Sequence, residues 1–218
     1  MAWIDVTVGL HAGIVAWPGD PAFRMDRPCR MADGAECNVS RIELGVHTGT
    51  HMDAPDHFID GAATIDHMPL KATMGVARVI EIEDPASIKP DALAPHSVQS
   101  GERILFKTLN SRRDWAHEPF DKEFVHINAA AAQHLVDAGV RTVGIDYLSV
   151  GAYEGDGVQT HKILLGAGVW VIEGLDLAKV EPGLVELICL PMKLLGAEGA
   201  PCRALVRPIE LDRRDGEI

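Results

Sequence analysis

Long apolar runs are missing from this sequence. No segment approaches the roughly 20 residues that cross a bilayer. Aromatic side chains are scarce at 5%, so aliphatic residues must supply most of the core. Basic charge is also short: 20 Lys and Arg stand against 32 Asp and Glu, a formal net charge of −12. Such a surface repels nucleic acid and anionic membrane, which excludes both as expected partners. The four cysteines, Cys29, Cys37, Cys189 and Cys202, include no Cys-x-x-Cys pair and are too few for a disulfide framework, so idle thiols are expected, with Cys29 and Cys37 a minor redox liability. Neither Gly-x-Gly-x-x-Gly nor a phosphate-binding Gly-Lys-Ser/Thr is present, and strict βαβ alternation is absent, which argues against a doubly wound dinucleotide fold. Met1 to Asp5 carry no basic region followed by an apolar run, so a cytoplasmic location is the expectation.

What is present is a dense polar motif, His47-Thr-Gly-Thr-His51-Met-Asp53-Ala-Pro-Asp-His57-Phe58. Imidazole and carboxylate are the ligands of divalent first-row metals, and a hydrolytic site adds an open position for water. Thr48, Gly49, Thr50 and Pro55 form helices poorly, so an extended or looped segment is expected. With a side-chain period of two, His47, His51, Asp53 and His57 then share one side, and Pro55 stiffens the turn that brings His57 back. The competing interpretation, separate hydrogen-bonded surface histidines, fits one imidazole better than it fits three with a carboxylate.

Along the rest of the chain the periodicity predicts strands over 3–8, 38–46, 75–82, 103–108, 143–146, 169–173 and 185–191, with 204–209 closing the sheet. Asn128 is the expected N-cap of an Ala-rich helix over 129–138, stopped by Gly139, and 161–165 is a short helix after a glycine-containing loop. Strands with few, short helices imply an α/β class around a twisted sheet or barrel. One domain is expected over residues 1–212, with 213–218 a disordered tail. Trp17, in Trp17-Pro-Gly-Asp-Pro, suits either a cap on the core or a face for an aryl ligand. Glu173 ends an apolar strand, where an unpaired carboxylate is costly, and His161 opens the short helix.

The motif resembles the signature of the cyclase family of metal-dependent hydrolases, which includes bacterial kynurenine formamidases and isatin hydrolases. The likeness extends to Trp17-Pro-Gly-Asp-Pro, Gly144-Ile-Asp, the His161 segment, Ile172-Glu-Gly-Leu-Asp-Leu and Leu190-Pro-Met-Lys-Leu. It implies a mixed β-barrel-like α/β domain of the swivelling β/β/α type, paired as a homodimer. His47, His51 and Asp53 would bind one metal, Asp53 would bridge to a second held by His161, and Glu173 would contribute to both. The ions would be Zn or Mn, and a water between two such ions ionises near neutral pH. His57 would move protons and Trp17 would contact a small-molecule substrate. The implied reaction is hydrolysis of N-formyl-L-kynurenine through a metal-bridging hydroxide. The alternative is a cyclic amide such as isatin, or a lactone. A non-catalytic metal carrier is a third reading, but it would need neither His57 nor Trp17. The segment 147–160 is expected to wall the pocket.

Overall fold

The computed structural model describes residues 1–210. Its strands are β1 (Ile4–Asp5), β2 (Arg24–Cys29), β3 (Val39–Glu43), β4 (His51–Asp53), β5 (Met74–Glu81), β6 (Ser87–Ile88), β7 (Arg103–Lys107), β8 (His126–Ile127), β9 (Thr142–Ile145), β10 (Trp170–Glu173), β11 (Gly183–Pro191) and β12 (Gly199–Pro208). Its α-helices are α1 (Leu70–Thr73), α2 (Pro90–Leu93), α3 (Ala129–Asp137) and α4 (Gly157–Gly166). The sheet order β12-β11-β5-β7-β9-β10-β4 returns to β12, so seven strands close a mixed barrel, as the α/β barrel-like expectation requires. The pairs β5–β7, β7–β9 and β9–β10 are parallel and the others antiparallel.

Alternation along the strands divides the packing into two faces. Met52, Leu105, Ile172, Leu187 and Val206 fill the barrel in one apolar cluster. The opposite faces of the parallel strands, through Ile80, Phe106, Val143 and Val171, pack on Leu135 of α3 and Leu164 of α4. Each such fully buried side chain contributes about 1.5–3 kcal/mol, and truncating the fully buried Leu105 to Ala would cost roughly 2–5 kcal/mol.

The helix over 129–137 forms as its cap predicts. Asn128 Oδ1 accepts the Ala131 N–H at 2.8 Å, Ala131, Ala132 and Leu135 turn inward, and Gly139 follows at φ +77°. Asp156 ties the two long helices together by accepting the Ala129 N–H at 2.7 Å.

Several expected boundaries move. Only Ile4–Asp5 of the expected 3–8 strand is a ladder, with Thr7 adding a single bridge to Leu175. The 38–46 strand ends at Glu43 and pairs only with β2, in a hairpin whose strand residues are all exposed, so it does not run directly into His47. The α4 helix begins at Gly157, four residues before His161. Closure is made by Gly199–Pro201 against β4, ahead of the 204–209 segment. Cys29 and Cys37 are exposed, Cys189 and Cys202 are buried, and all four are free thiols. Among the described residues no helix is long and apolar enough to cross a membrane. The expected tail 213–218 lies outside the described residues.

Candidate metal centre

The polar motif sits where the barrel closes. The short strand β4 is bonded on both sides, with His51 opposite Glu173 and Asp53 opposite Val171 on β10, and Asp53 opposite Gly199 on β12. Alternation sends Met52 into the barrel, so His51 and Asp53 face outward beside Glu173, under α4. Two close approaches make this possible. Gly174, at φ +70°, lies so near Gly49 that a Cβ would meet the Gly49 carbonyl oxygen at 2.2 Å. At Gly199 a Cβ would come within 2.6 Å of His47 Cε1, so the missing side chain admits the His47 ring. Pro55 starts a single 3-10 turn, Pro55–His57, which swings His57 back over His47 with ring centroids 3.9 Å apart.

Two donor groups result, His47–His51–Asp53 and Asp53–His161–Glu173, within each of which one ligand atom per residue lies within 4.8 Å of the others. In the first, His47 Nδ1 is 2.9 Å and His51 Nε2 is 3.5 Å from Asp53 Oδ1. In the second, His161 Nε2 is 3.3 Å from Glu173 Oε1 and 3.9 Å from Asp53 Oδ2. Glu173 Oε2 also reaches within 3.1 Å of His51 Nε2. Ligands at about 2.0–2.1 Å from one tetrahedral ion stand roughly 3.3 Å apart, and most of these separations are close to that value.

The residues fit a divalent cation on an independent ground. His51 Nε2 and Asp53 Oδ2 are buried and find no hydrogen-bond partner. The ring orientations agree: His51 Nδ1 meets the Gly49 carbonyl at 2.9 Å and His161 Nδ1 meets that of Gly157 at 2.7 Å. A carbonyl only accepts, so both Nδ1 atoms carry hydrogen and each Nε2 is the donor atom turned to the carboxylates.

The electrostatics describe a nest of buried charge. Burial opposes charge on His51, but the Asp53 and Glu173 carboxylates beside its ring outweigh it, and its pKa is pushed up to about 10. His161 is raised as well: burial works against its charge, and Glu173 overcomes that. Burial alone would raise Asp53, yet His47 and His51 hold it well below the usual carboxylate range. Glu173 is pushed up by burial and by Asp53, and His161 and His51 bring it below its ordinary value. Two fully buried carboxylates therefore demand positive charge, which a divalent cation supplies in full.

His57 belongs to neither donor group. Its pKa is lowered, chiefly by burial, with Asp53 and Glu173 opposing the shift and His47 and His161 adding to it, so the ring stays neutral at neutral pH. It lines a cavity of about 400 Å³ that ends on His47, His51, His161 and Glu173. Trp17 lines the same cavity and packs against Phe120 and Tyr153 with centroids 5.3 Å apart in both cases, so it is at once a wall of the cavity and part of an aromatic cluster. The 147–160 segment does wall this space, through Leu148, Ser149, Tyr153 and Val158. The sequence assigned no role to Phe58, stacked on His161 at 4.2 Å, or to Asp20 and Ser149 in the lining. Asp20 lies in the Trp17 block, where a charged residue beside a tight turn was the available signal.

All seven residues singled out in the sequence thus border one cavity or support its floor. Comparison with known proteins identifies the family. Residues 4–152 match the Cyclase family model, described as "Putative cyclase". A kynurenine formamidase of Bacillus cereus is 32% identical over 207 residues, covering 95% of this chain and 98% of its own, and one of Salinibacter ruber is 35% identical over 214 residues with the same coverage. A solved structure described as a "potential metal-dependent hydrolase with cyclase activity" superposes with TM-score 0.82 at 35% identity, covering 94% of this chain and 96% of that one. Isatin hydrolase A from Labrenzia aggregata has the same fold, with TM-score 0.82 at 23% identity and coverage of 94% and 93%. With a model match across most of the chain and relatives aligned along nearly all of it, the chain belongs to the cyclase family.

Proposed function

We propose that this chain hydrolyses N-formyl-L-kynurenine to L-kynurenine and formate, using two divalent metal ions, Zn or Mn. The observation that carries this reading is the pair of donor groups sharing Asp53, with buried unpartnered donor atoms beside a neutral, cavity-facing His57. The kynurenine formamidases, 32–35% identical over 95% of the chain, support the substrate.

His47, His51 and Asp53 would hold the first ion, and His161 the second, with Asp53 and Glu173 shared. When bound, such ions polarise a carbonyl and lower the pKa of water to about 7. Two ions of charge +2 against two carboxylates leave a net +2, so negative charge developing on the amide oxygen is stabilised. His57, kept neutral by burial, takes the proton lost by the attacking water and delivers it to the departing arylamine. Trp17 and Tyr153 offer aromatic faces to the substrate ring, and a cavity of about 400 Å³ is in the range for ligands of this size. Asp20, the charged lining residue outside the donor groups, would meet the substrate's ammonium group. An uncharged cyclic amide such as isatin would leave Asp20 unused. The reading includes a homodimer, as the family resemblance implies.

The test is hydrolysis of N-formylkynurenine by metal-loaded protein, with a chelated sample and isatin alongside. Metal-dependent kynurenine release with kcat/KM near or above about 10⁴ M⁻¹s⁻¹ is expected. Metal-loaded protein that cleaves isatin and leaves N-formylkynurenine intact would overturn the substrate.

A further inference from the structure

His47 differs from the other two histidines of the centre. His51 and His161 each donate Nδ1–H to a backbone carbonyl and turn Nε2 inward. His47 is reversed: its Nδ1 faces the cluster, 2.9 Å from Asp53 Oδ1, and its Nε2 points away. That Nε2 is buried and has no hydrogen-bond partner. If Nδ1 supplies the lone pair to an ion, Nε2 must carry the hydrogen, and a buried N–H without an acceptor is destabilising. An acceptor stands close by. Glu198 Oε1 lies 3.7 Å from His47 Nε2, on a side chain that is 44% exposed.

The backbone fixes Glu198 there. Its carbonyl accepts the Ala54 N–H at 2.8 Å, and the next residue, Gly199, is in register with Asp53 and lies against the His47 ring. The carboxylate is therefore tied to the strand that carries the shared ligand, while its side chain remains available to His47.

We propose that Glu198 is a positioning residue of the metal centre: its carboxylate accepts the His47 Nε2–H and holds the Nδ1 lone pair towards Asp53. This inference rests on metal binding by the cluster. A carboxylate behind a ligating imidazole fixes its tautomer and increases its basicity, and loss of such a partner commonly lowers metal affinity 10- to 100-fold.

The experiment is a chelator-competition titration with Zn²⁺ on the wild-type full chain, Glu198→Ala and Glu198→Gln, together with ¹⁵N NMR of the histidine rings in the zinc-loaded proteins. Glu198→Ala should weaken zinc binding about 10- to 100-fold. Glu198→Gln, whose amide oxygen still accepts a hydrogen bond, should recover most of that loss. The spectrum should show His47 bound through Nδ1 and protonated at Nε2. Wild-type affinity in Glu198→Ala, an equal loss in Glu198→Gln, or His47 ligating through Nε2 would each overturn the proposal. Failure of the metal reading itself would show separately, as absence of tight zinc binding by the wild type.

Discussion

Asp53 Oδ1 stands 2.9 Å from His47 Nδ1, and the other oxygen of the same carboxylate, buried and without a hydrogen bond, faces His161 Nε2 at 3.9 Å. One side chain thus joins two donor groups that come from separate parts of the chain. Its position is set by a three-residue strand bonded on both sides.

Asp53→Ala should therefore strip the centre rather than weaken half of it. The expected loss of metal affinity exceeds the roughly 10- to 100-fold that follows removal of an outer partner. Elemental analysis after dialysis checks this, and full occupancy in the variant would sink the shared-ligand assignment.

His57→Ala should separate chemistry from metal binding. Turnover should fall about 100- to 10,000-fold, the usual worth of a positioned proton-transfer group, while metal content stays at the wild-type level. In the wild type, a lowered His57 pKa keeps the basic form present as pH falls, so the acid limb of kcat/KM should lie below the ordinary imidazole value of 6.5. That limb should vanish in the variant. Loss of metal from His57→Ala would identify the ring as a ligand.

The Asp20 carboxylate gives a substrate-discrimination test. Asp20→Asn should lower kcat/KM for N-formylkynurenine up to about fivefold, the scale of an exposed ion pair, and leave formanilide unaffected because it has no ammonium group. An equal fall for both substrates would mean that the substitution disturbs the Trp17 loop instead.

The chemistry of this centre was more legible in the sequence than its architecture. His47, His51, Asp53 and His57 are packed into one motif, so their convergence needs only local geometry. Glu173 could be flagged by position because a carboxylate ending Trp-Val-Ile is costly unless paired. The strand pairings were not legible, since register is a property of two segments. Nothing local shows that Gly199-Ala-Pro201 lies along Asp53-Met-His51, and a Gly-Ala-Pro run has the look of a turn. Likewise β2 escaped because Arg-Met-Asp-Arg-Pro-Cys has no buried face and so no alternation to read. The early start of α4 was hidden by Gly157, a poor helix former whose carbonyl nonetheless takes the His161 Nδ1–H.

The last prediction concerns pH and metal together. In chelated protein, His51 and His161 have raised pKa values, so their contribution to stability is fully present below the unfolded imidazole value of 6.5 and is lost as pH rises, towards about 10 for His51. Asp53 and Glu173 are lowered, so theirs is present above the unfolded values of 3.8 and 4.5 and is lost as pH falls through their folded values. The cluster's contribution in chelated protein should thus peak between pH 4.5 and 6.5 and decline on the alkaline side. Metal binding displaces the imidazole protons, and each proton released strengthens binding about tenfold per pH unit, or about 1.4 kcal/mol. With His51 protonated across this range and His161 raised, the stability difference between zinc-loaded and chelated protein should widen by at least about 1.4 kcal/mol per pH unit from pH 6.5 to 8. Denaturant melts of both forms across that range measure it. A difference that stays constant with pH would show that metal and protons do not compete for His51 and His161, and that the ions, if bound, lie elsewhere.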